Sequence, residues 1–210
     1  MTHVSASEDV EALWLDTLQR AVGRASHDVK DALNGVSVNL EVIRTRAARA
    51  ELPATALAPF GDGATQQLDR LTTLLTSLLA LARVEREPAD VATTLRHVVV
   101  LCGASSHPSD AAVRMQEDGG LGGTTTRVPG MVVRLLLMAP LLDLVVSTAR
   151  PERASEVTCT LSGDAGDVRV TIAAAGRRAQ LNEGMADLAR TAGIRTSEEP
   201  QELTLIFPRP

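Results

Sequence analysis

His27 is the residue of this sequence whose type and setting best suit chemistry. It stands beside Asp28, Lys30 and Asp31 in a segment, residues 26–34, that has a helical pattern. A histidine side chain that is not packed in a core can act as a nucleophile and as a proton carrier near neutral pH. Because residues three and four apart share a helix face, Lys30 and Asp31 are expected beside the imidazole. The segment is therefore a candidate reactive site that a partner molecule could reach.

The elements around His27 predict that it points to solvent. Apolar residues recur at steps of three and four along one segment: Leu18, Val22, Ala25, Val29, Leu33, Val36, Leu40, Ile43 and Ala47. This spacing predicts an amphipathic helix, which we place over residues 7–50. At about 100° per residue, His27 lies opposite the middle of the apolar stripe. We therefore expect an exposed histidine.

A second helix is predicted to fold back on the first. Proline and glycine residues in residues 52–63 predict a turn, and residues 64–86 predict the helix. Its apolar stripe is formed by Leu68, Leu71, Leu74, Leu75, Leu78, Leu79, Leu81 and Ala82. Two long helices with such wide stripes predict two paired hairpins in a four-helix bundle, and hence a homodimer. The alternative is that the C-terminal half covers the stripes.

The C-terminal half changes character and predicts an α/β sandwich, which makes the whole chain α+β. Helices are expected over residues 91–102, 131–149 and 183–192, and strands over residues 112–117, 124–128, 156–161, 168–173 and 203–207. We expect helices on one face of a mainly antiparallel sheet. Pro140 lies inside the second of these helices and predicts a kink or an early end. The predicted domains are residues 1–87 and 88–210.

Composition excludes several classes of protein. The net charge of -5 and the near absence of aromatic residues argue against nucleic-acid binding. No secretion signal and no run of about 18 apolar residues is present, so we expect a cytoplasmic location. Cys102 and Cys159 lack metal-site spacing and are expected to be buried free thiols. His3, His97 and His107 form no ligand spacing and are interpreted as structural or surface residues.

The pattern resembles the catalytic core of bacterial sensor histidine kinases. The resemblance is carried by Ser-His-Asp at residues 26–28, Leu-Asn at residues 33–34, Leu-Leu-Ala-Leu-Ala-Arg at residues 78–83 and the order of the later elements. It implies that His27 accepts a phosphoryl group and that Asp28 orients the ring by accepting a hydrogen bond from it. In the family, the position of Asp31 carries a hydroxyl or amide that positions water for dephosphorylation. The carboxylate here puts phosphatase activity in doubt.

The second domain departs from the family where ATP would bind. Asp143 occupies the place of a metal-binding asparagine, and residues 173–178 read Ala-Ala-Ala-Gly-Arg-Arg in place of Asp-x-Gly-x-Gly. The lid reduces to residues 182–185, Asn-Glu-Gly-Met. The glycine cluster of residues 119–123 lacks the Lys-Ser/Thr of a phosphate loop and is interpreted as a strand connection. We therefore expect a degenerate ATPase-like domain with no cofactor and no metal.

These departures make the chain most like the dimeric histidine phosphotransferases of phosphorelays. That resemblance implies a protein that passes phosphoryl groups between response-regulator receiver domains through His27, with Asp28, Lys30 and Asp31 around it. Lys30 is expected to affect partner binding more than chemistry. Mg²⁺ would be held by the partner receiver domain, and a hybrid sensor kinase is a possible further partner. The alternatives are an active, divergent histidine kinase and a non-catalytic adaptor that binds a receiver domain or a kinase.

Overall fold

The computed structural model describes residues 3–48, 53–83, 88–103, 112–118, 123–145 and 156–210. The helices are α1 (His3–Ala47), α2 (Ala58–Ala82), α3 (Val91–Gly103), α4 (Gly130–Val145) and α5 (Glu183–Thr191), with a short 3₁₀ turn at Ala54–Ala56. The strands are β1 (Ala89–Asp90), β2 (Ala112–Glu117), β3 (Thr125–Thr126), β4 (Glu156–Gly163), β5 (Asp167–Ala174), β6 (Arg195–Glu199) and β7 (Glu202–Pro208). The α+β class is confirmed. The predicted domain boundary at residue 87 lies outside the described residues and stays a prediction.

Helix α2 begins earlier than predicted, and the expected turn over residues 52–63 is wrong in its second half. Pro59 lies in the first helical turn, where a missing N–H costs nothing. Gly63 lies inside the helix, and a Cβ atom there would be 3.1 Å from Nδ2 of Asn39 on α1. A Cβ atom at Gly35 would likewise be 3.0 Å from Cγ of Gln67. These glycines therefore allow the two helices to approach closely, and Gly63 does not break α2.

The buried line of α1 is offset from the predicted apolar stripe. Thr17, Ala21, Ala25, Asp28 and Ala32 are buried, whereas the larger residues Val22, Leu33 and Leu40 of the stripe are exposed. On α2 the buried line is Ala64, Leu74, Ser77 and Leu81, while Leu68, Leu75 and Leu79 are exposed. The buried line of α1 thus consists of small and polar side chains, whereas that of α2 also includes Leu74 and Leu81 of the predicted stripe. Each apolar stripe is therefore buried only in part, and its other residues face away from the seam.

The main sheet has the order β2-β4-β5-β7-β6, and only its β2–β4 pair is parallel. The expectation of a mainly antiparallel sheet is confirmed. Strand β6 was not predicted, because every residue in it is exposed and it has no apolar alternation. Its pairing with β7 defines it. Strands β1 and β3 form a separate antiparallel pair, in which Ala89 lies opposite Thr126. Helix α3 begins directly after β1.

Helix α4 is buried along almost its whole length. It contacts α3, α1, α5 and β1. One hydrophobic core includes its buried residues and runs from Ala21 and Leu81 of the hairpin to the strands of the sheet. Pro140 does not end the helix, which continues to Val145. Arg134 donates from Nη1 to the carbonyl oxygens of Leu81, at 3.1 Å, and Arg83 at the end of α2. The C-terminal half therefore covers part of the hairpin, and the rest of its apolar face stays exposed.

Cys102 and Cys159 are free and buried, as predicted. Burial raises the pKa of each thiol to about 12. In the part of the chain that the structure describes, no helix is both long and apolar enough to cross a bilayer.

Candidate functional site

His27 lies on the outward face of α1, and its side chain is 69% exposed. The exposure that the sequence predicted is confirmed. Its Nδ1 atom lies 3.2 Å from Oδ2 of Asp31, one helical turn further along. The spacing of four residues brings these two side chains together because it nearly matches the helical repeat. Lys30 is also exposed on this outward side. Nε2 of His27 is the atom left for an incoming group.

Asp28 has a different surrounding from the one the sequence predicted. Its side chain is only 3% exposed, and its Oδ1 lies 3.6 Å from Nη2 of Arg70 on α2. The carboxylate at the imidazole is that of Asp31, which differs from the expectation that Asp28 accepts from the ring. The physical reason is rotation about the helix axis, since consecutive residues differ by about 100°. The helix that exposes His27 turns Asp28 inward.

His27, Asp28 and Asp31 each offer one ligand atom within 4.8 Å of the others. Among the described residues, no other cluster of three histidine, cysteine or carboxylate side chains has this spacing. The group could hold a divalent cation, since imidazole and carboxylate are both metal ligands. However, the positively charged guanidinium group of Arg70 already lies beside Asp28, which is one of these three groups.

The residues at the positions where the resemblance places a kinase's nucleotide site make contacts within the protein. Asp143 on α4 forms an ion pair with Arg20 of α1. Ala174 is buried at the end of β5, and Arg177 after it donates to the carbonyl oxygen of Leu144 near the end of α4. Asn182 caps α5, where its Oδ1 accepts from the backbone N–H of Met185 at 2.9 Å. The first two contacts join α4 to α1 and to the loop after β5, and the third is local to α5.

A cavity of about 610 Å³ lies at the start of β4 and the end of β5, beside the turn between β6 and β7. Glu156, Glu199 and Glu202 line it. Three carboxylates around one cavity repel a triphosphate, so this cavity does not suit a nucleotide. Glu156 also pairs with Arg114 at 2.8 Å.

Two arginines of the site were not singled out in the sequence analysis. Arg70 lies in the same 4-3-4 spacing as the buried residues Leu74, Ser77 and Leu81, and Asp28 follows the same spacing in α1. An acid and a base on two inward stripes are a signal that could have predicted their pairing. Arg20 offers no such signal, because its partner Asp143 comes from a distant helix.

The remaining histidines and the glycine cluster lie only partly within the described residues. His107 and residues 119–122 of the glycine cluster are outside the described residues, and so is the side chain of His3. His97 is described, and its Nδ1 lies 3.2 Å from Oγ of buried Ser77. It therefore joins α3 to α2, in agreement with a structural interpretation.

Comparison with known proteins gave similarities at the level of the fold. No model of a protein family matches the chain, and no curated protein is similar to it. A blue-light activated histidine kinase of Erythrobacter litoralis EL346 is 14% identical over 88% of this chain, with a TM-score of 0.39, and the chain spans 59% of its length. A bacterial phosphotransferase is 16% identical, with 91% of this chain and 95% of that chain covered and a TM-score of 0.45.

The histidine kinase ThkA, solved in complex with the response regulator protein TrrA, is 14% identical. The match covers 100% of this chain and 68% of that chain, with a TM-score of 0.43. These three structures are thus of two histidine kinases and a phosphotransferase, and the resemblance concerns the arrangement of helices and strands.

Proposed function

We propose that this protein is a histidine phosphotransfer protein of a two-component phosphorelay, which passes phosphoryl groups between receiver domains through His27 and binds no ATP. The observation that carries this proposal is the imidazole itself. It is 69% exposed on a regular helix, and Asp31 lies 3.2 Å from its Nδ1. A nucleophile fixed on a rigid helix and open to solvent suits a protein partner that brings the reacting group.

The reaction is an exchange of one bond to phosphorus for another. A lone pair of the His27 imidazole forms a bond to the phosphorus of an acyl phosphate on the partner's aspartate. The bond from phosphorus to the carboxylate oxygen breaks, and the aspartate leaves with the electron pair. Mg²⁺ on the partner would neutralise charge on the phosphoryl oxygens. This chain contributes the positioned nucleophile and the surface on which the partner rests.

The residues at the positions where the resemblance places a nucleotide site support phosphotransfer over an ATP-dependent kinase. Residues 173–178 read Ala-Ala-Ala-Gly-Arg-Arg in place of Asp-x-Gly-x-Gly. Within them, Arg177 donates to the carbonyl oxygen of Leu144, so its side chain is engaged inside the protein. Asp143, in place of a metal-binding asparagine, pairs with Arg20 of α1.

The exposed apolar face of the hairpin supports a homodimer. Apart from Val38, which lies on another side of α1, the exposed large apolar residues of α1 and α2 recur at steps of 7, 11 and 4, which keep them on one side of each helix. These residues are Leu15, Val22, Leu33, Leu40, Leu68, Leu75 and Leu79. A contiguous apolar surface of this kind requires a partner, and a second hairpin offers the matching surface. His27 lies on a different side of α1, so it would stay accessible in the dimer.

The experiment is phosphoryl transfer from a phosphorylated receiver domain to the purified chain. We expect acid-labile, alkali-stable phosphate on this chain, and its loss in His27→Gln. His97→Gln is the matched control, because His97 is a histidine with an internal contact. Label from ATP alone would favour the divergent kinase. Receiver binding that is equal in wild type and His27→Gln, without phosphate transfer, would favour the adaptor. Phosphate that persists in His27→Gln would overturn the site assignment.

A further inference from the structure

The geometry points to Asp31 as the positioning residue of His27, a proposal that rests on the proposed phosphotransfer function. Oδ2 of Asp31 lies 3.2 Å from Nδ1 of His27. Asp28, the neighbouring acid in the sequence, is directed toward Arg70 at 3.6 Å and is buried. We propose that Asp31 fixes the tautomer of the imidazole, directs Nε2 to the incoming phosphorus and stabilises the phosphorylated ring.

The tautomer follows from what each group can donate. A carboxylate has lone pairs and no proton, so it can only accept a hydrogen bond. Nδ1 of His27 must therefore carry the proton in this contact, and Nε2 keeps its lone pair. The contact runs along the helix, from one turn to the next, so it also holds the plane of the ring. Nε2 then faces solvent, where a docked receiver domain would present its acyl phosphate.

The charge that develops during transfer strengthens the contact. When the Nε2 lone pair bonds to phosphorus and the partner's carboxylate leaves, the ring retains the Nδ1 proton and becomes cationic. The Asp31 carboxylate then faces a positive ring in place of a neutral one. A hydrogen bond between two charged groups is shorter and stronger than one to a neutral donor. Asp31 thus favours the phosphorylated state of His27 as well as the path to it.

A docked partner would increase this effect. In the free protein the Asp31 side chain is 38% exposed, and water weakens an ion pair at such a position. A receiver domain over His27 would exclude part of that water. The cost of losing Asp31 is therefore expected to be greater in phosphoryl transfer than in the stability of the free helix.

The test compares Asp31→Asn and Asp31→Glu with Glu41→Gln. Glu41 pairs with Arg44 at 2.9 Å on the same helix, so its variant removes an exposed contact away from His27. We expect Asp31→Asn to slow phosphoryl acceptance about ten- to a hundredfold, by analogy with the loss of the hydrogen-bond partner of a metal-binding histidine. Asp31→Glu should keep most of the wild-type rate, since the longer side chain can still bring its carboxylate to Nδ1 of His27. Glu41→Gln should transfer like wild type.

A second measurement reads the tautomer directly. In ¹⁵N spectra recorded where the imidazole is neutral, His27 should show the proton on Nδ1, and Asp31→Asn should raise the population with the proton on Nε2. His27→Gln assigns the signal. A purely structural role for Asp31 would leave the tautomer unchanged. If the wild-type ring carries its proton on Nε2, or Asp31→Asn transfers at the wild-type rate, the proposal is overturned.

The two readouts separate this proposal from the proposed function. A wild-type chain that accepts phosphate, with Asp31→Asn equally fast, refutes the role of Asp31 and leaves phosphotransfer standing. A wild-type chain that accepts no phosphate from any receiver refutes phosphotransfer. In that case the ¹⁵N spectra still test whether Asp31 holds the proton on Nδ1.

Discussion

The contact between Asp28 and Arg70 predicts that Asp28 stabilises the folded hairpin, whereas Asp31 acts on the imidazole of His27. The Asp28 carboxylate is 3% exposed and lies 3.6 Å from Arg70, whose side chain is 32% exposed. Asp28→Asn keeps the shape of the side chain and removes its charge. Because this contact joins α1 to α2, we expect the variant to weaken the hairpin.

The magnitude follows from the distance and the burial. At 3.6 Å the direct attraction is about 4.6 kcal/mol if the effective dielectric constant is about 20. Desolvation of the carboxylate offsets part of that attraction, and in the variant the Arg70 side chain can turn further into water. We expect a net loss of roughly 2 kcal/mol in the free energy of unfolding. For a chain of this size, that corresponds to a Tm lower by about 4 to 8 °C.

The assay is chemical and thermal unfolding of wild type, Asp28→Asn, Arg70→Met and the double variant. A coupling energy of about 1 kcal/mol or more between the two positions is expected, because the groups are in contact. Glu41→Gln is the control, since loss of its exposed pair with Arg44 should change stability by less than about 0.5 kcal/mol. If Asp28→Asn were as stable as wild type, the structural role of the pair would be refuted. A changed His27 tautomer in a stable Asp28→Asn variant would instead support a direct role of Asp28 at the ring.

Three further predictions concern assembly, nucleotide and pH. Light scattering should give twice the chain mass, and a wild-type monomer would contradict the bundle. Leu40→Glu should yield monomers. Val38→Glu should leave the dimer intact, because a step of two residues along a helix is a rotation of about 200° and places Val38 on another side of α1. Calorimetry with Mg-ATP should show no binding heat, and saturable binding would favour the kinase. Finally, folding raises the pKa of Cys102 and of Cys159 from the ordinary 9.0 to about 12. The stability this provides is present below pH 9 and is lost as pH rises toward 12, on the order of 1 kcal/mol per thiol near pH 10. The chain has no tyrosine and a single lysine, so few other groups titrate between pH 9 and 12. The stability of the double variant Cys102→Ala/Cys159→Ala, measured by urea unfolding, should therefore depend less steeply on pH than that of wild type. An equally steep dependence would refute the role of the two thiols.

The sequence predicted the local features of the site because they depend on one helix alone. The period of the apolar residues indicates that residues near His27 are helical, and a helix fixes which side chains share a face. The exposure of His27 therefore followed without any knowledge of the fold. Burial of the two cysteines also followed, from their apolar neighbours and the lack of ligand spacing. The strands with alternating burial, such as β4 and β5, were predicted for the same reason.

Features that depend on a second element could not be predicted in this way. Gly63 has the local character of a helix breaker, yet it lies inside α2, where the absence of a Cβ atom lets Asn39 of α1 approach closely. Strand β6 has no apolar pattern, and its hydrogen bonds to β7 define it. In each case a contact with a distant segment outweighs the local preference of the chain.

The division holds within the candidate site itself. The sequence determined that an exposed histidine stands among two carboxylates and a lysine on one helix. Helix geometry already places Asp31 beside the imidazole and turns Asp28 to another side of α1. Only the tertiary structure decided what Asp28 meets there, because Arg70 comes from the other helix. Helical periodicity is a property of neighbouring residues, whereas the pairing of charges across a seam depends on how two helices are set against each other.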